Sequence, residues 1–172
     1  SNALNETIDR ANKDGIKYML TISTEDKSFE QILKIVNGYE SVYGTYGIHP
    51  HEAKSHQHIK SDDIINKVNQ NKKIIGIGET GLDFYYNHSE KKDQIYSFEE
   101  HISAAQEKNL PLIVHTRSAE KETLQILEKH SKKKETKILI HCFTGSREFA
   151  FKLLDLGAVS YTHLTLPTTD RV

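Results

Sequence analysis

The sequence predicts an α/β domain built on a parallel sheet. Short apolar runs alternate with amphipathic stretches along the chain, the rhythm of successive βαβ units. Three of those runs close on a carboxylate or an imidazole where a strand should end. They are Ile74-Ile75-Gly76-Ile77-Gly78-Glu79, Leu112-Ile113-Val114-His115 and Ile138-Leu139-Ile140-His141. The C-terminal ends of parallel strands are where α/β barrels keep their active sites. Gly15 and Gly157 stand where a helix would stop before the next strand, as helix-terminating glycines do.

The predicted strands run over Tyr18 to Ile22, Val42 to Tyr46, Ile74 to Gly78, Leu112 to Val114, Ile138 to Ile140 and Ala158 to Tyr161. Helices fill the gaps. Thr7 to Lys13 carries Ile8 and Ala11. Phe29, Ile32, Leu33 and Val36 fall at i, i+3, i+4 and i+7, a single apolar face. Ile64, Ile65 and Val68 mark a helix over Asp62 to Asn69, and Ile95, Phe98, Ile102 and Ala105 mark one over Gln94 to Glu107. Leu124 to Leu127 and Phe149 to Leu156 are shorter stretches of the same kind. Lys132-Lys133-Lys134 reads as a solvated loop. A complete (β/α)8 barrel typically takes about 250 residues. With about six strand–helix units, composition leaves open either a doubly wound sheet or a barrel lacking its ends.

At 172 residues, 36% hydrophobic and 27% charged, the chain has the profile of one globular domain. The net charge of −1 provides no global basic field, so a phosphate-rich substrate would need a metal and local donors. The lone Cys142 excludes an intramolecular disulfide and, with no apolar membrane-length stretch, fits a cytoplasmic protein. Residues 1–3, Ser-Asn-Ala, read as an expression-tag scar; residues 4–159 read as the domain and 160–172 as an atypical tail.

One glutamate and two histidines at neighbouring strand ends form a divalent-metal ligand set. Glu79 has two oxygens and can bridge ions; His115 and His141 can each offer a ring nitrogen. In Gly47-Ile48-His49-Pro50-His51, a proline stiffens a loop between two histidines. His49 is placed at the rim, gripping phosphate or orienting a leaving group; His51 is the weaker candidate. His56, His58, His88, His101 and His130 are expected on solvated surfaces. Asp83 is expected as an acceptor behind the ligands or as a loop cap. Tyr85 is a candidate for stacking on a base, and Phe84 for buried packing. Arg117, two residues past His115, can fork a phosphate or pair with an acid. Thr144-Gly145-Ser146 can cap the following helix or receive an anion. Cys142 is expected to be a small buried hydrophobe.

Taken together, GIHPH, IGIGETGLDFYY, LPLIVHTR and ILIHCFTGS resemble the TatD family of metal-dependent deoxyribonucleases. The likeness runs from about Ile8 to about Ala158. It implies a (β/α)8 TIM barrel of the amidohydrolase-like type, partial here, with about six of eight units. It also implies cleavage of phosphodiester bonds in DNA at a centre of divalent ions, Zn, Mn or Mg. By motif, Glu79 corresponds to the bridging ligand, His115 and His141 to the other ligands of one ion, and His49 to the histidine near the scissile phosphate.

The sequence also departs from the family pattern. Members open with a His-x-His pair that serves the other metal, whereas no His precedes His49. They carry a late Asp in a Thr-Asp-Ser-Pro-like segment, and Asp170 lies in a different context. Two ions in the intact family therefore become at most one here, with weak or no turnover expected. The alternatives are a metal-dependent hydrolase of a carboxylic ester, amide or lactone, and a non-catalytic fragment that binds partners. Unpaired strand edges would favour a homo-oligomer.

Overall fold

The computed structural model describes residues 2–86 and 88–161. In chain order these form α1 (Asn2–Lys13), β1 (Met19–Thr21), α2 (Asp26–Gly38), β2 (Val42–Tyr46), a 3-10 helix (Pro50–His56), α3 (Ser61–Val68), β3 (Ile74–Asp83), α4 (Lys91–Lys108), β4 (Leu112–Arg117), α5 (Glu120–Ser131), β5 (Ile138–His141), α6 (Arg147–Asp155) and β6 (Val159–Tyr161). Most of the tail expected to be atypical lies outside the described residues.

The six strands form one sheet in the order β1-β2-β3-β4-β5-β6, and every neighbouring pair is parallel. A doubly wound sheet reverses its strand order partway. This sheet never does, so of the two alternatives the barrel arrangement is realised, with six strands and their helices. Among the described residues β1 and β6 are the outer strands.

Local chemistry sets the helix limits. Ser146 caps α6, its hydroxyl accepting from the Phe149 N–H at 3.2 Å. At the start of α2 the Ser28 hydroxyl accepts from the Glu25 N–H at 3.2 Å, half of a capping box. Helix α4 ends where Asn109 turns left-handed at φ 53°, a conformation asparagine tolerates better than most residues. The apolar faces then fill the core as their periodicity predicts. Phe29, Ile32 and Val36 of α2 are buried over β2, and Phe98, Ile102 and Ala105 of α4 over β3.

The largest difference from the sequence reading is the length of β3. It continues past Glu79 to Asp83, and β4 continues past His115 to Arg117. The extensions pair with each other: Thr80 with Val114, Gly81 with His115, Leu82 with Thr116 and Asp83 with Arg117, after a register shift between Ile77 and Thr80. A mixed run such as Thr80-Gly81-Leu82-Asp83 carries little strand signal by itself; the neighbouring strand supplies it. Two close backbone approaches need glycine. A Cβ on Gly47 would lie 2.3 Å from the Gly78 Cα, so the end of β2 meets β3 backbone to backbone. Gly81, at φ +133°, would carry a Cβ 2.1 Å from the His115 carbonyl oxygen.

Candidate metal centre

Glu79 lies within β3 rather than at its end, and only 7% of its surface is exposed. Its Oε1 is 3.3 Å from His115 Nδ1 and 3.1 Å from His141 Nδ1. The His49 and His115 rings are in edge contact, centroids 4.5 Å apart. One ligand atom from each of His49, Glu79 and His115 lies within 4.8 Å of the others. The structure therefore brings together all four residues singled out along the sequence. It groups His49 with Glu79 and His115, and sets His141 against the same Glu79 oxygen.

Protonation favours a cation here. Burial opposes ionisation of Glu79, but hydrogen bonding from His115 and the charges of His141 and His49 prevail and hold its pKa down to about 2. Burial, reinforced by the neighbouring His115, pushes His49 down to about 4. Near neutral pH the cluster thus presents an ionised carboxylate and a neutral imidazole, the protonation states that metal binding requires. The donor set fits a divalent ion of the Zn, Mn or Mg type.

Asp83 fills both roles expected of it. Its Oδ1 accepts from the N–H groups of Tyr85 and Tyr86, each at 3.0 Å, closing the loop after β3. Its Oδ2 lies 2.8 Å from His51 Nε2 and 3.2 Å from His115 Nε2. Burial works against ionisation of Asp83, yet the Tyr86 N–H and the two imidazoles hold its carboxyl below the usual range. His115 is thus held between two carboxylates, an arrangement that fixes ring orientation in metal sites. Gln94 of α4 braces this strand end: its Oε1 accepts from Asp83 N–H at 2.8 Å, and its Nε2 donates to the Asp83 and Ser89 carbonyls, each at 3.0 Å.

Two histidines expected in solvent are buried instead. His101 of α4 is fully enclosed. Its Nδ1 donates to the Ser97 carbonyl at 2.7 Å, and its Nε2 accepts from Ile48 N–H at 3.1 Å. That bond anchors the residue before His49. The spacing contained the signal: Phe98, His101, Ile102 and Ala105 follow i, i+3, i+4, i+7, so His101 shares the apolar stripe. His130 is buried likewise, three residues after Leu127, with Nε2 3.5 Å from Glu99. His56 is half-buried, whereas His58 and His88 are exposed as expected.

The remaining candidates sit around the rim. Arg117 places its guanidinium 4.2 Å from the Tyr85 ring centroid, and Tyr85 is 59% exposed. Phe84 is only half-buried, under the Lys91 ammonium at 4.1 Å. Cys142 is half-buried rather than enclosed, and its backbone turns left-handed at φ 52° just after β5; burial and the nearby Glu79 raise its thiol pKa. Ser146 is committed to its helix cap and to Glu120, whose carboxylate accepts from its N–H at 2.6 Å and its hydroxyl at 2.7 Å, so the anion-receiving alternative is not realised.

Comparison with known proteins decides the family. The family model described as TatD related DNase matches residues 1–169. The chain belongs to the TatD-related DNase family. Among its TatD relatives, the uncharacterized metal-dependent hydrolase BU355 of Buchnera aphidicola is 35% identical over 159 residues, 90% of this chain and 60% of that protein. A protein of Pantoea ananatis named 3'-5' ssDNA/RNA exonuclease TatD is 33% identical over 156 residues, 88% of this chain and 58% of its own length. The chain thus spans less than two thirds of the curated relatives it matches. The crystal structure of the Escherichia coli TatD homolog YjjV superposes with a TM-score of 0.78 at 24% identity, covering 93% of this chain and 61% of that one. This last likeness is one of fold. Among the described residues no helix is long and apolar enough to cross a membrane.

Proposed function

We propose that this TatD-family chain carries the metal-binding half of a hydrolase that cleaves phosphodiester bonds in DNA. The observation that carries the proposal is the convergence of His49, His115 and His141 on the buried, ionised Glu79. Glu79, His115 and His141 would hold the ion, both imidazoles facing the same Glu79 oxygen. A divalent ion bound there would supply Lewis-acid stabilisation of a phosphoryl oxygen and would lower the pKa of water. The chain's own residues do the rest. Asp83 keeps the His115 ring fixed. His49, its lone pair available and its backbone anchored by His101, stands beside the ligands to contact the scissile phosphate. Arg117 pairs with a neighbouring phosphate. The name of the Pantoea relative supports a nucleic-acid substrate.

The competing substrate class is a carboxylic ester, amide or lactone, whose carbonyl the same ligand set could polarise. A model phosphodiester and a model carboxylic ester, each assayed with added Zn, Mn or Mg, separate the two. We expect weak metal-dependent turnover of the phosphodiester and none of the ester. Cleavage of the ester alone would overturn the phosphodiester reading.

The outer strands support a second element of the proposal. Tyr18 beside β1, Leu20 on β1 and Val159 on β6 are large apolar residues exposed on the outer strands of the described sheet, and a strand edge left unpaired among the described residues recruits further strands. We expect self-association by light scattering at micromolar concentration; a strictly monomeric mass would count against it.

A further inference from the structure

The loop after β3 carries a row of rings and cations outside the ligand cluster. Tyr85 and Tyr86 are 59% and 41% exposed. Their rings meet edge to face at 4.8 Å. The Arg117 guanidinium lies over both, 4.2 Å from the Tyr85 centroid and 4.9 Å from that of Tyr86. Tyr86 continues the row, stacked on His88 with centroids 5.6 Å apart and planes 28° from parallel. The His51 ring closes it, 4.6 Å from His88 and 5.5 Å from Tyr86.

This row is tied to the centre by a single buried carboxylate. Asp83 accepts from the backbone of both tyrosines with one oxygen and faces His51 and His115 with the other. Arg117 is equally fixed: it pairs with Asp83 in the β3–β4 ladder, and its carbonyl accepts from Phe84 N–H at 2.9 Å. Tyr85 and Tyr86 therefore stand just beyond the end of the strand that carries Glu79.

We infer that Tyr85, Tyr86 and Arg117 form a stacking platform that holds an unpaired nucleobase next to the scissile phosphate. The inference rests on the phosphodiester reading above and adds which residues recognise the base. The chemistry fits. Exposed aromatic faces stack on any base, and a guanidinium can lie flat on a base while pairing with a phosphate. A purely carbonyl substrate would use neither.

The test compares two fluorescent single-stranded DNA oligonucleotides of equal length, one with normal bases and one abasic, by anisotropy in EDTA so that no cleavage occurs. The wild-type chain is expected to bind the normal strand about tenfold more tightly, the scale of one base–aromatic stack. Tyr85→Ala should erase that preference, and Tyr85→Phe should restore it. Arg117→Gln should weaken both oligonucleotides and flatten their salt dependence. Equal binding of the two strands by the wild type, or a preference that survives Tyr85→Ala, overturns the platform. The phosphodiester reading fails separately, through metal-dependent cleavage of a small carboxylic ester and not of a small phosphodiester.

Discussion

Glu79→Ala is expected to abolish divalent-metal binding, the largest single effect expected of any substitution in this chain. The carboxylate is the point on which the site converges, with His115 and His141 both turned to one of its oxygens. Asp83, the other buried carboxylate nearby, is engaged by two backbone N–H groups and two imidazoles, so it cannot move in as a substitute. Removing outer groups that merely orient ligands costs about 10–100-fold in metal affinity; losing the anionic ligand itself should cost at least about 100-fold. Calorimetric titration with Zn, Mn or Mg checks this, with Glu79→Gln as the variant that keeps shape but not charge. Both should lose the binding heat while unfolding cooperatively in urea. Wild-type affinity in Glu79→Ala would mean that the ion sits elsewhere and that these contacts are structural.

The second large effect belongs to His101, which the centre needs without containing. It holds the backbone before His49 through a bond to Ile48 N–H. His101→Leu leaves that buried donor unpaired, a cost of about 1–3 kcal/mol, and frees the turn that presents His49. His101→Gln keeps an acceptor oxygen at a similar reach. The expected order of stability and metal affinity is wild type, then Gln, then Leu. The pH dependence separates the Gln variant from the wild type. Burial pushes the His101 pKa down to about 4 from an ordinary 6.5. The neutral form is therefore the folded form, and its contribution is complete above the unfolded value near 6.5. As pH falls the unfolded chain takes up the proton first, so that contribution is lost progressively down to about 4. The gap corresponds to on the order of 3 kcal/mol. Urea unfolding at pH 7.5 and pH 5 should show a steeper acid loss in the wild type than in His101→Gln. Parallel losses would show that other groups carry the acid sensitivity.

The burial of His101 also shows how far the sequence could be read. The stripe of Phe98, Ile102 and Ala105 is a property of the chain, because helix period and apolar spacing are local. A histidine on that stripe is ambiguous until a partner is known. The partner, Ile48 N–H, is 53 positions away in sequence. Gln94 is the same case: nothing local marks a glutamine as the brace of a strand end.

By itself the sequence determined the alternation of strands and helices and the apolar faces, and it singled out Glu79, His115, His141 and His49 as candidates, since the residue type that follows a short apolar run is a local feature of the chain. Tertiary structure alone decided the consecutive strand order, which excludes the doubly wound sheet. It also decided the extension of β3 and β4, the close glycine contacts between strands, and the placing of Asp83 between His51 and His115. These depend on which segments meet in space. Hydrogen bonding across strands and the exclusion of water set them, and neither acts along the chain.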